Sequence, residues 1–211
     1  MGQLNEAVRI KEVLDYYDIE NFVETGTGKA EVVRTVVDAD PNQNIHTIEI
    51  MEDVYKFNMK KFHYLENVNW HLGNSFEVIP KILSELKSNT LFWLDAHFPA
   101  TMGKDNLIFD YGLEPDLDKR LPLQKELEII TSLRDVSNDA FVIDDLRIYE
   151  DGDFETGNWD ERSKYGGDGI DFIEELFGET HCVIRSYNAQ GFIILLPLST
   201  KDEDFEKLLL M

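Results

Sequence analysis

The chain reads as an α/β protein: a seven-stranded, mostly parallel sheet with helices on both faces, closed by a C-terminal antiparallel hairpin. Three observations predict it. Apolar runs of strand character alternate with helical periodicities along most of the sequence, which is the pattern of βαβ units. Four of those runs stop on acids, at Glu24, Glu49, Asp95 and Asp144-Asp145. The last two runs, residues 181–187 and 192–198, are separated only by Asn188-Ala189-Gln190-Gly191, and a short glycine-bearing turn joins antiparallel strands.

Taken in order, residues 5–17 place Ala7, Val8, Ile10, Val13, Leu14 and Tyr17 at helical spacing, predicting one amphipathic helix over a sheet edge. Residues 21–24 form the first strand and 30–37 the helix after it. Residues 44–50 and 51–62 repeat the pair. Residues 68–72 form a third strand, and Gly73-Asn74-Ser75 leads into a helix over 76–86, with Ser75 as its N-cap and Pro80 expected to kink it. The continuous apolar run Leu91-Phe92-Trp93-Leu94 suits a central strand buried on both faces. Residues 98–120 are polar and aperiodic, and a loop this long is usually functional or disordered; a lid over a substrate would sit there. A helix over 121–133 and a strand over 140–143 follow. Residues 150–167 form a second irregular stretch with Trp159 and Tyr165, after which Asp168 would cap a helix reaching Phe177. Thr200 would cap a terminal helix over 201–210.

Composition bounds the function. At 211 residues the chain is long enough for one domain with a proper core, so residues 1–211 are expected to be a single unit. The net charge is −22, from 20 Lys+Arg against 42 Asp+Glu. Such a surface repels nucleic acid and anionic membranes. The single cysteine, Cys182, fits a reducing cytoplasm. Residues 1–20 lack the apolar core of a signal peptide, and no apolar run reaches membrane-spanning length. Nucleic acid and membranes are therefore not expected as partners, while a second copy of the chain, in a homodimer, is allowed.

The chemistry starts at Phe22-Val23-Glu24-Thr25-Gly26-Thr27-Gly28-Lys29-Ala30. Glycines at a strand-to-helix turn let the backbone approach a ligand closely. A P-loop is excluded, because Val23 stands where its first glycine belongs and Ala30 where its Ser/Thr belongs. A dinucleotide fingerprint fails at Glu31, in place of the third glycine. Glu24 suits hydrogen bonding to ammonium or hydroxyl groups rather than phosphate. That combination points to a positively charged nucleoside cofactor, S-adenosylmethionine (SAM). Glu49, at the neighbouring strand end, can accept both ribose hydroxyls, and Asn74 or Ser75 can bind an adenine edge. Asp95, Asp144 and Asp145 would converge from adjacent strands and repel one another unless a hard cation, Mg²⁺ above all, sat among them. Such a cation lowers the pKa of a substrate hydroxyl. His97 lies nearby as a candidate general base. His46 and His71 fall within strands and read as core or edge residues.

In these residues the chain resembles the class I SAM-dependent methyltransferases. Phe22 to Gly28 looks like their first glycine motif, Glu49 like the acid after the second strand, and Gly73-Asn74-Ser75 like the adenine-side motif. It is closer still to a bacterial and phage subgroup of small methyltransferase-like proteins, through Glu24 to Thr27, Phe92 to His97, Ile143 to Asp145, and Pro122 to Leu127. The resemblance spans residues 21–198. It implies the Rossmann-like methyltransferase fold and cofactor contacts from Glu24, Thr25, Gly26, Gly28, Glu49, Asn74, Ser75 and Asp95. The aspartates are also similar to those of metal-dependent catechol and macrolide-sugar O-methyltransferases, which implies Asp95, Asp144 and Asp145 as metal ligands. Two features depart from these patterns. Lys29-Ala30 replaces the usual ending of the turn, and the catechol group's lysine base has no counterpart nearer than His97. Methylation of a hydroxyl on a small-molecule or sugar acceptor with Mg²⁺ assistance is the resulting expectation. The rivals are a metal-free enzyme relying on His97, a silent SAM-fold binding module, and a metal-dependent hydrolase using Asp95, His97 and Asp144.

Overall fold

The computed structural model describes residues 4–97, 116–158 and 169–210. Most of the two aperiodic stretches expected to shape a substrate pocket, together with Trp159, Tyr165 and Asp168, therefore lies outside the described residues. Seven strands form one sheet: β1 (Asn21–Thr25), β2 (Asn44–Glu49), β3 (Val68–Leu72), β4 (Thr90–Leu94), β5 (Ala140–Asp144), β6 (His181–Ser186) and β7 (Phe192–Pro197). Their order is β3-β2-β1-β4-β5-β7-β6. The first five run parallel. β7 turns back antiparallel between β5 and β6. This is the expected α/β fold, hairpin included.

The helices are α1 (Leu4–Ala7), α2 (Ile10–Tyr16), α3 (Glu31–Ala39), α4 (Glu52–Lys61), α5 (Ser75–Glu85), α6 (Leu117–Arg120), α7 (Leu123–Leu133), α8 (Asp171–Phe177) and α9 (Phe205–Leu208). Alternation along the strands sorts the core into two layers. Phe22, Ile45, Trp93, Val142 and Ile194 face α1, α2, α3 and α9. Val23, Phe92, Phe141, Ile143 and Ile193 face α5, α7 and α8. β1, β4 and β5 are buried along their whole length, as the uninterrupted apolar runs require of central parallel strands.

Three local expectations are corrected. The N-terminal helix is two helices, because Val8 leaves helical geometry to form an antiparallel bridge with Leu209. Arg9 N donates to Leu208 O at 2.8 Å and Leu210 N to Ala7 O at 3.1 Å, so tertiary backbone bonds replace helical ones. These helices lie on a sheet face rather than along an edge. Ser75 does not cap α5. Asn74 holds the extended cap position, with no side-chain cap bond, and Ser75 is the first helical residue. Thr200 caps nothing either; its hydroxyl donates to Pro197 O and accepts from Tyr17 OH, both at 2.5 Å. Pro80 sits within an α5 that remains one assigned helix.

Phe141 lies at the centre of the second layer, fully buried, stacked on Phe92 at 4.7 Å and edge-on to Phe177 at 4.9 Å. Phe141→Ala is expected to cost about 3–5 kcal/mol, measured by denaturant unfolding. A loss under about 1 kcal/mol would show that this ring stack is not a packing centre.

Candidate active site

The parallel strands end side by side, and the turns beyond them build the site. At the glycine turn, Gly26 takes a φ of +83°, and a Cβ there would lie 2.5 Å from the Asp95 carbonyl oxygen. Only glycine permits that approach. Gly26 N and Thr27 N donate to Ile48 O at 3.0 and 3.2 Å, and Asp95 N donates to Thr25 O at 3.1 Å. The turn is thus stitched to β2 on one side and to the β4 tip on the other.

Glu49 anchors the next turn. Its carboxylate accepts from Gly28 N at 3.0 Å and from Met51 N at 2.9 Å. It is 4% exposed, and burial pushes its pKa up against those backbone bonds. Glu24 lies deeper, 1% exposed, where it accepts from the Thr47 hydroxyl, which in turn accepts from Thr27 at 2.5 Å. Burial raises its pKa to about 8, the Thr47 bond opposes that rise, and the Glu49 charge adds to it. Asn58 Nδ2 donates to Gly28 O at 2.8 Å, and Gly73 N to Glu49 O at 2.9 Å. Glu24, Thr25, Gly26, Gly28, Glu49, Asn74 and Ser75 therefore share one neighbourhood.

The acceptor half is built on β4 and β5. His97 Nε2 lies 2.7 Å from Asp145 Oδ2, and His97 Nδ1 lies 3.4 Å from Asp95 Oδ1. Asp145 also holds Arg147 Nε at 3.2 Å. Its φ of +57° is a left-handed conformation that costs a non-glycine residue energy, and such strain gathers at functional sites. Burial draws the His97 pKa down, but the hydrogen bond and charge of Asp145 outweigh it and hold the pKa above the usual value. Burial raises Asp95 strongly, with Asp144, Asp145 and Glu24 adding to it. Against the burial of Asp145, His97 and Arg147 keep its carboxyl below the ordinary range.

Asp95, His97 and Asp145 each place a ligand atom within 4.8 Å of the others. That converging group includes His97 where the sequence suggested Asp144. Asp144 closes β5, 2% exposed, and acts on Asp95 and His97 through its charge. His46 and His71 lie away from this group and pair with each other, ring nitrogens 3.0 Å apart.

The sequence reading missed two residues here. Glu126 in α7 is 1% exposed; burial raises its pKa to about 7, while the neighbouring Ser75 and Thr25 hydroxyls and His97 favour its ionised form. Its signal was available, because Glu126 falls on the apolar stripe of Leu123, Leu127 and Ile130, where an acid is out of place. Tyr149 is the other. Burial and the charges of Glu126, Asp145 and Asp95 drive its pKa far up. Nothing in the local sequence marks it.

No family model and no curated protein matches the chain. Solved structures share its fold. A provisionally assigned caffeoyl-CoA O-methyltransferase from Staphylococcus aureus superposes with a TM-score of 0.60 at 17% identity, covering 89% of this chain and 80% of that one. An O-methyltransferase from Bacillus cereus, in complex with S-adenosylhomocysteine (SAH), gives 0.57 at 12% identity, covering 89% and 78%. TomG, a SAM-bound O-methyltransferase of tomaymycin synthesis from Streptomyces achromogenes, gives 0.55 at 15%, covering 89% and 77%. The fold is the Rossmann-like methyltransferase fold. No helix among the described residues is long and apolar enough to cross a membrane.

The buried acids predict a pH signature. The folded protein holds a proton on Glu24 up to about pH 8, whereas the unfolded chain loses it near 4.5. Stability from this group is complete below 4.5 and falls as pH rises toward 8. Thermal melts of the free protein should show that decline, and Glu24→Gln, which keeps the neutral form, should flatten it. An equally steep decline in the variant would remove Glu24 as its source.

Proposed function

We propose that the chain is a SAM-dependent methyltransferase acting on a hydroxyl of a small molecule or sugar. One observation carries the reading: the glycine turn and Glu49 on one side, and Asp95, His97 and Asp145 on the other, meet at the tips of adjacent parallel strands. In open α/β sheets, ligands bind beyond those tips. The shared fold adds support.

Each half has its work. Glu49 is held by Gly28 and Met51 with its remaining lone pairs available for ribose hydroxyls. Gly26 leaves room for close backbone approach. Asp95 and Glu24 are buried acids held toward the neutral form, and a positively charged ligand beside them would favour their ionised form. When bound, SAM supplies a methyl group on a positively charged sulfur. His97, oriented by Asp145, would accept the proton of the acceptor hydroxyl as that oxygen takes up the methyl group. Holding that oxygen in line is the larger part of the rate gain.

A second reading adds a divalent cation, and the converging ligand atoms of Asp95, His97 and Asp145 favour it. Two carboxylates and an imidazole form a mixed set. It fits Mg²⁺ less closely than an all-oxygen set does, and it also suits softer divalent ions. The ion would neutralise the acids and polarise the hydroxyl.

Calorimetric titration with SAH tests the cofactor half. Micromolar binding is expected, weakened about tenfold or more by Glu49→Ala; no binding would sink the methyltransferase reading, and binding without turnover on any hydroxyl acceptor would favour a silent module. Once an acceptor is found, turnover in EDTA separates the two readings. Activity that survives chelation assigns the proton to His97 alone, and loss restored by Mg²⁺ assigns the ion.

The metal-free mechanism also predicts a pH profile. His97 must be neutral to accept a proton, so kcat/KM should rise with pH through a pKa above 6.5. Asp145→Asn removes the charge that holds that proton, and the rise should move to lower pH. A limb that stays in place would remove His97 as the base.

A further inference from the structure

At the end of the sheet opposite the glycine turn, where β1 and β2 begin, a cavity of about 610 Å³ opens between the end of α2 and the segment joining α3 to β2. Four carboxylates line it: Asp15, Asp18, Glu20 and Asp40. Asp15 pairs with Lys11 at 2.5 Å, and Lys11 also feels the charge of Asp40. Among the described residues, no ion pair joins Asp18, Glu20 or Asp40 to a cation. A solvated acidic face would account for these four side chains. It does not account for Gln43, which lines the same cavity and is 2% exposed. Gln43 Nε2 donates to Ile19 O at 3.2 Å, which fixes the orientation of the amide. Its Oε1 is buried and has no hydrogen-bond partner. The side chain thus crosses the floor of the cavity, from the start of β2 to the residues before β1, with an acceptor left over. Buried acceptors are nearly always paired, and a donor carried in by a ligand would complete this one.

We propose that this cavity binds an alkyl polyamine, with one ammonium on Gln43 Oε1 and the others on Asp18, Glu20 and Asp40. The lining selects that class. It holds carboxylates and side-chain amides but no Lys, Arg or His, so it disfavours an anion and favours a cation. A single divalent ion needs its oxygen ligands within one coordination sphere. Among the described residues, the acids and histidine that converge so closely are Asp95, His97 and Asp145, at the other end of the sheet. Carboxylates spread around a cavity suit a ligand whose charges are themselves spread along a chain. Ammonium groups only donate, as the lining requires, and the methylenes between them lie on the Leu14 and Ile19 side. The net charge of −22 draws such a cation in. The site shares no residue with the glycine turn or with the acids beyond β4 and β5, so it stands apart from the methyltransferase reading.

The test is calorimetric titration of the full chain with spermidine at low salt, and separately with Mg²⁺. Saturable binding of one spermidine per chain is expected. Asp18→Asn combined with Asp40→Asn should weaken it about tenfold or more, since two charges leave the cavity; asparagine also suits the left-handed backbone of Asp18. Gln43→Met keeps the length of the side chain and removes the acceptor, and should weaken binding about fivefold or more. If melting shows Gln43→Met unfolded, the aspartate pair carries the test. Glu77→Gln with Glu128→Gln removes the same charge from exposed positions on α5 and α7, across the sheet, and should leave affinity within about twofold. Equal weakening by that control pair would show attraction to net charge alone and overturn the site. Absence of saturable spermidine binding, or full affinity in a folded Gln43→Met, would overturn it too. Mg²⁺ bound more tightly than spermidine, and lost in the aspartate pair, would replace the polyamine with an ion.

Discussion

Crowded carboxylates at one end of the sheet set the terms for the rest of the structure. Glu24, Glu49, Asp95, Asp144 and Asp145 all sit at or near the carboxyl ends of adjacent strands, most of them buried. Two like charges about 5 Å apart repel by roughly 3 kcal/mol at an effective dielectric constant of 20, and desolvation adds to that. The protein answers in three ways. Glu24 stays protonated near neutrality beside Thr47. Glu49 is tied to two backbone amides. Asp145 is compensated by His97 and Arg147. Asp95 faces His97 Nδ1 at 3.4 Å, and it stands where the cofactor and acceptor halves meet.

That economy explains why His97 is central. An imidazole between Asp95 and Asp145 carries the positive charge the acids require, and gives it up when a proton must be received. A divalent cation could take the same place only by competing with the short His97–Asp145 contact. Base chemistry and metal chemistry are therefore alternatives at one position, and the ligand set that would decide between them is the one that holds the imidazole.

The sheet register turns this electrostatics into a site. β1 pairs with β2 and β4 so that Thr25 stands level with Ile48 and Leu94, which brings the glycine turn, Glu49 and Asp95 to one height. The left-handed Asp145 then swings its carboxylate to His97 immediately after β5 ends. On the opposite face, α5 and α7 bring Ser75 beside Glu126 beneath the same strand tips. The glycine at position 26 is demanded by distance as well as by φ, since any side chain there would strike the β4 tip.

Much of this was legible in order along the chain. Alternating apolar runs and helical periods determined the α/β class, the hairpin and the strand ends, because period and turn chemistry are local properties. The acids at those ends, the glycine turn and His97 were legible for the same reason. Ser75 and Thr200 misled, since a hydroxyl at a helix start predicts a cap only when no buried partner claims it; Glu126 neighbours the first and Tyr17 holds the second. The break at Val8 depended on Leu209 at the far end of the chain. The convergence of His97 on Asp95 and Asp145, the Glu24–Thr47–Thr27 chain, and the meeting of Glu126, Ser75 and Tyr149 with the acids likewise depended on distant partners. These are contacts between segments distant in sequence, set by strand order and helix packing. No local pattern encodes them, so the amino-acid sequence by itself determined the fold and the candidate residues, while the tertiary structure decided which of them touch.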